Sequence, residues 1–150
     1  VGAAAGGKDT VQPLRGLGIG IGGGGTEQHA AFRRIKTVDD LDRELAAAVA
    51  AGKPVMLDFY ADWCTYCKQM ERYTFPDAAV AEEMSRFVLL QADVTDTDEQ
   101  DNALMQGRFG ITAPPAILFF DTSGEELRGY RVMGYKPAME FAEHLRRAAP

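Results

Sequence analysis

The 150-residue chain is 46% hydrophobic and 25% charged, the balance of a single globular domain able to bury a core without staples. Its formal net charge of −6 argues against a nucleic-acid partner, which requires a basic face for phosphates. It contains no apolar run of about 18 residues to span a bilayer and, from Val1 onward, no secretory signal pattern, as expected of a processed chain or a piece of a longer one.

Residues 1–31 are dense in glycine, as in Gly16-Leu17-Gly18-Ile19-Gly20-Ile21-Gly22-Gly23-Gly24-Gly25. Such a segment loses much backbone entropy on ordering and has few side chains to bury. It reads as a flexible leader that tethers a globular domain over 32–150, with a disordered end or cloning artefact as the alternative; Leu17, Ile19 and Ile21, unlike a designed linker, favour the tether. A phosphate cradle is excluded, since no strand leads into these glycines and no helix follows directly.

Phe32 to Lys36 reads as a short edge strand. Thr37 caps a helix that carries Val38, Leu41, Leu45, Ala48 and Val49 at helical spacing and ends near Gly52. Lys53-Pro54 forces an extended re-entry into a strand over Val55 to Tyr60. After Cys67 a helix runs to Tyr73, Pro76 interrupts it, and Asp77 to Met84 restarts one. Phe87 to Ala92 is a buried strand, Thr97 to Gln106 a helix, and Ala116 to Phe120 a strand. Leu127 to Met133 is expected as its hairpin partner, and Pro137 opens a last helix with Met139, Phe141, Ala142 and Leu145 towards the core. This order predicts an α/β fold, a central mixed sheet with helices on both faces.

Both cysteines lie in one C-x-x-C, Cys64 and Cys67. A disulfide closing so short a loop constrains the unfolded chain little, so the pair is chemical rather than structural. At a helix start just after a strand, the first thiolate is stabilised by unpaired N–H groups. Cys64 is expected at the exposed lip, attacking a partner disulfide, and Cys67 one turn in, resolving the mixed disulfide. The alternative, half of a zinc site in a metal-binding or chaperone module, needs two more ligands. The only histidines are His29, in the leader, and His144, in the last helix.

Asp62-Trp63-Cys64-Thr65-Tyr66-Cys67-Lys68, the proline before the Ala116 strand and the element order resemble the thioredoxin superfamily. More narrowly, Lys53 to Cys64, Tyr73-Thr74-Phe75, Phe87 to Thr95 and Ile117 to Phe120 are similar to the C-terminal periplasmic domains of the DsbD family. The likeness covers about 32–147. It implies a protein-disulfide reductase without a cofactor beyond the Cys64–Cys67 pair, a soluble periplasmic domain of a bacterial inner-membrane protein. Electrons would arrive from a membrane-embedded thiol donor domain. They would leave to the N-terminal periplasmic domain, which reduces disulfide isomerases and cytochrome c maturation proteins; a monomer is expected. A free-standing reductase of another pathway, such as cytochrome c maturation, is the alternative. Thr65-Tyr66 and Pro114-Pro115 depart from the family pattern, and the bulk of Tyr66 bears on redox poise or docking.

By the same resemblance Pro115 occupies the cis-proline position facing the dithiol, a bond only X-Pro adopts cheaply; the alternative is a trans proline that merely ends a loop. It would expose the backbone of Pro114 to an incoming peptide. Asp58 stands in the middle of an apolar strand, where a carboxylate is costly to bury. Either Met56, Asp58 and Tyr60 line a wet face, or Asp58 sits beneath the dithiol as proton acceptor for Cys67. Glu71, four residues after Cys67, shares its helix face and either approaches the sulfurs or is solvated. Trp63 and Tyr66 flank Cys64 as an aromatic docking surface, with Trp63 alternatively a scaffold residue under the loop.

Overall fold

The computed structural model describes residues 32–150; the leader expected over 1–31, with His29, lies outside them. Strand β1 (Arg33–Ile35) runs into helix α1 (Val38–Ala51). The backbone N–H of Asp40 donates to Thr37 Oγ1 and that of Thr37 to Asp40 Oδ2, each at 3.0 Å, closing a reciprocal cap. Gly52, at φ +69°, ends the helix in the left-handed conformation that glycine adopts without a Cβ penalty.

Strand β2 (Val55–Tyr60) is the centre of the sheet. It pairs in parallel with β3 (Val88–Asp93) and antiparallel with β4 (Ala116–Phe120), while β1 lies parallel on the far side of β3. The order is β1-β3-β2-β4. Five helices accompany these strands among the described residues. Helix α2 (Thr65–Gln69) passes into a π-helical turn (Met70–Thr74); α3 (Ala78–Met84) follows. Helix α4 (Glu99–Asn102) likewise passes into a π turn (Ala103–Arg108), and α5 (Ala138–Ala148) closes the chain.

All six residues of β2 are buried, so both sheet faces are covered and the expected mixed sheet between helices is found. Val55, Leu57 and Phe59 join Leu41 and Leu45 of α1 and Leu104 in one core. Met56 pairs with Phe119 on the other face, where the Phe119 ring meets His144 of α5 and Phe87. Register places Arg34, Gln91, Asp58 and Ile117 in one row across all four strands. Residues paired in register project to the same face, so this row belongs to the side covered by α5.

Three expectations fail. The strand over Leu127 to Met133 is absent; a 3-10 turn (Arg128–Tyr130) stands there. Isolated bridges join Ile117 to Val132 and Phe120 to Glu126. Between them β4 advances three residues and the returning chain six, so the surplus loops out. Arg131 clamps that loop, its Nε 2.6 Å from Glu126 Oε2. Met139 is 86% exposed, whereas Phe141, Ala142, Leu145 and Ala148 are buried. At 100° per residue, Met139 falls about 130° from the mean direction of those four. Val49 is also exposed, lying against the turn at Gly124, where a Cβ would come within 3.0 Å of its Cγ2.

The α5 assignment is tested by truncation. Phe141→Ala is expected to cost about 3–5 kcal/mol in urea unfolding and Met139→Ala less than about 0.5 kcal/mol. Equal losses would place the core face of α5 wrongly.

Candidate functional site

The end of β2 delivers the chain into the C-x-x-C. Cys64 is the N-cap of α2, in extended conformation, and the Cys67 N–H donates to its Sγ at 3.1 Å. The two sulfurs form a disulfide, with Cα atoms 5.3 Å apart. Cys67 Sγ lies 3.8 Å from the carbonyl oxygen of Phe59, so the inner sulfur rests against the residue that follows Asp58. Cys64 departs from expectation: it is only 6% exposed, nearly as buried as Cys67. Its sulfur is held by the bond to Cys67 and by the helix-start N–H, and what stands at the lip is its neighbours.

Those neighbours are Trp63 and Tyr66, 53% and 52% exposed. Trp63 is open on one side and tied by its indole N–H to the Thr95 carbonyl at 3.0 Å. The Asp62 N–H donates to Thr95 Oγ1 at 2.9 Å, so the loop before Cys64 is fastened to the segment following β3. Lys68 stays solvated, its Nζ 5.3 Å from the centre of the Tyr60 ring and 3.8 Å from Asp62 Oδ1. The Pro114–Pro115 peptide bond is cis. Ala116 pairs with Phe59; continuing that register sets Pro115 beside the end of β2, where the dithiol loop begins.

Asp58 is 5% exposed, which removes the wet-face alternative. Its Oδ2 accepts a hydrogen bond from Gln91 Nε2 at 2.9 Å. Burial pushes its carboxyl up to about 7, Glu71 adds to that push, and the Gln91 bond and Arg34 oppose it. Glu71, half-buried on the π turn after α2, thus acts on Asp58 from the same helical segment that carries Cys67. Gln91 and Arg34 were not foreseen. The signal was present: Gln91 interrupts Val88-Leu89-Leu90 as Asp58 interrupts Val55-Met56-Leu57, and adjacent strands with one polar residue each invite pairing.

Among the described residues no group of three or more His, Cys, Asp or Glu is placed to hold a metal ion. His144 Nε2 lies 2.6 Å from the Tyr130 carbonyl oxygen.

Comparison with known proteins fits this geometry. Residues 41–149 match the model of the thioredoxin-like domain. The C-terminal domain of DsbD from Neisseria meningitidis, in its oxidised form, superposes with a TM-score of 0.66 at 30% identity, covering 77% of this chain and 99% of that one. The chain belongs to the thioredoxin-like family, with the DsbD C-terminal domains. A thioredoxin from Thermus thermophilus superposes with a TM-score of 0.59 at 27% identity, over 78% of this chain and 86% of that one. The thiol:disulfide interchange protein DsbD of Ralstonia nicotianae is 48% identical over 149 residues, 99% of this chain. The chain spans about a quarter of the length of that relative. A thioredoxin-like domain with a C-x-x-C disulfide is a thiol:disulfide oxidoreductase; the sulfur pair itself carries the two electrons.

Asp58 gives the domain a pH-dependent stability. Its folded-state value lies above the ordinary 3.8, so the protonated form fits the fold better. Stability is therefore greatest below about pH 4 as far as this group is concerned, and falls as pH rises towards 7. At about 1.4 kcal/mol per pH unit, the loss is on the order of 4 kcal/mol. In urea unfolding of the oxidised domain between pH 4 and 8, Asp58→Asn is expected to abolish most of that decline. An identical decline in both proteins would contradict the assignment.

Proposed function

We propose that this domain is a protein-disulfide reductase that passes electrons from a membrane-embedded thiol donor to a periplasmic partner domain of the same DsbD-like protein, with residues 1–31 as its tether. The observation that carries the reading is the Cys64–Cys67 disulfide seated at a helix start, directly after the strand that buries Asp58. The name of the curated relatives, thiol:disulfide interchange protein, supports the exchange chemistry, and their greater length supports one domain among several. No helix among the described residues is long and apolar enough to cross a membrane, in keeping with a donor that resides in another part of the protein.

In the reduced domain, the Cys64 thiolate attacks one sulfur of the partner disulfide. That S–S bond breaks, the leaving sulfur takes up a proton, and a mixed disulfide joins Cys64 to the partner. Cys67 gives its proton to the Asp58 carboxylate, and its thiolate attacks Cys64 Sγ. The internal disulfide forms, and the second partner sulfur leaves and is protonated. Two electrons have passed outward, and the membrane-embedded donor restores the dithiol. A carboxyl group titrating near 7 suits a proton acceptor working near neutral pH. Asp58 and Glu71 also place negative charge near the sulfurs, which opposes the thiolate and holds Cys64 as a thiol until docking changes its surroundings. Trp63 and Tyr66 offer aromatic surface to the partner, and Pro114 and Pro115 shape the rim its peptide meets.

Two measurements test this. The reduction potential against glutathione is expected to be more negative than about −180 mV, so that isomerases can be kept reduced; a value near −120 mV would overturn the reductase direction. Cys67→Ser is expected to trap a mixed disulfide with the N-terminal domain of the same protein, and capture of an unrelated partner alone would assign another pathway. Separately, Asp58→Asn combined with Glu71→Gln is expected to lower the Cys64 titration midpoint by about one pH unit or more, followed by ultraviolet thiolate absorbance. An unmoved midpoint would remove both carboxylates from the tuning of the pair.

A further inference from the structure

Gln91 lies between Asp58 and Arg34 in the row that crosses the sheet. Arg34 Nε donates to Gln91 Oε1 at 2.8 Å, and Gln91 Nε2 donates to Asp58 Oδ2 at 2.9 Å. A guanidinium has five N–H donors and no acceptor, whereas a carboxamide has an acceptor end and a donor end. Arg34 can therefore be satisfied only by the oxygen of Gln91, which commits the nitrogen to Asp58. From that end the amide can donate to a carboxylate but cannot accept from a carboxylic acid. Turned over, the same amide would offer its oxygen to Asp58 and hold the proton in place. Gln91 is buried, so water cannot readily substitute for the missing partner and the orientation matters energetically.

Arg34 is itself anchored. Its guanidinium lies 3.3 Å from Asp93 Oδ2, and Asp93 accepts the backbone N–H of Thr95 at 3.0 Å and the Thr95 hydroxyl. The charges that act on Asp58 are Glu71, from the turn after α2, and Arg34, from β1. Ile117 opposite it on β4 is uncharged. Helices α3 and α5 bring Val80, Met84, Phe141 and Leu145 to their buried faces, none of which titrates. His144 of α5 is engaged by Tyr130.

We propose that Arg34 is a positioning residue: by fixing which end of the Gln91 amide faces Asp58, it favours the ionised, proton-accepting form of that carboxyl against the effect of burial. This rests on the role given to Asp58 above, and it adds a surface residue to the control of a buried one. Because the Arg34 side chain is more than half exposed, its variants leave the core intact. Its bare charge, acting on a buried carboxyl, is weakened in part by salt, whereas an amide orientation is not weakened at all.

The test follows the Asp58 carboxyl carbon by NMR against pH in the oxidised domain, assigned with Asp58→Asn. Arg34→Met is expected to raise the Asp58 midpoint by about one pH unit, a tenfold tighter hold on the proton, and the difference is expected to persist at 1 M salt, where the Debye length is about 3 Å. Arg34→Lys, a donor without an acceptor, is expected to restore most of the wild-type value. An unmoved midpoint in Arg34→Met would overturn the proposal. So would a difference that shrinks at 1 M salt, since charge would then account for it. The pH profile for reduction of a synthetic disulfide peptide separates the two levels. If the Asp58 midpoint moves and the profile does not, Arg34 positions Asp58 as proposed, and it is the part of Asp58 in dithiol chemistry that fails.

Discussion

A carboxyl group enclosed in the centre of a sheet has to be either neutral or hydrogen-bonded, because an unpaired charge there costs several kcal/mol. Asp58 meets that constraint with one strong donor, Gln91, and much of the site follows from it. The donor has to come from the adjacent strand in register, which fixes the pairing of β3 with β2. A one-residue slip would turn Gln91 to the opposite face. The amide oxygen then needs a donor of its own, and the edge strand β1 supplies Arg34. Three strands are thus aligned by polar contacts that the apolar core would not specify by itself.

The same row joins the two halves of the site. On one side it passes through Asp58, two residues before the end of the strand from which the dithiol loop departs. On the other it continues through Arg34 and Asp93 to Thr95, which fastens that loop at Asp62 and Trp63. The sulfurs are therefore held from below by β2 and from the side by the segment after β3. The hydrogen bonds that hold the loop belong to the network that holds Asp58.

Local chemistry made most of the fold legible in the sequence. Thr37 with Asp40, and Gly52, mark the two ends of α1 because capping is decided within a few residues. Cys64, Cys67 and Asp58 were visible because each is an unusual residue for its place. Arg34 was not, because an arginine on an edge strand is unremarkable until strand order is known. The strand expected after Gly124 failed for a non-local reason, a mismatch in length between the two bridges to β4. Met139 and the burial of Cys64 failed for others, the exact angular position on a helix and the depth at which the fold seats a loop residue.

The looped segment beyond β4 also bears on how the domain behaves in concentrated company. Strand β4 is apolar and buried throughout, and bare it would be an adhesive edge that recruits strands from other molecules. Its edge is met instead at Ile117, Phe119 and Phe120 by Val132, Leu127 and Glu126. The 3-10 turn among these prevents the covering chain from becoming a fresh edge of its own. At the opposite margin β1 is only three residues long and presents Arg33 and Arg34. Both margins of the sheet are closed to aggregation, one by a kink and the other by brevity and charge.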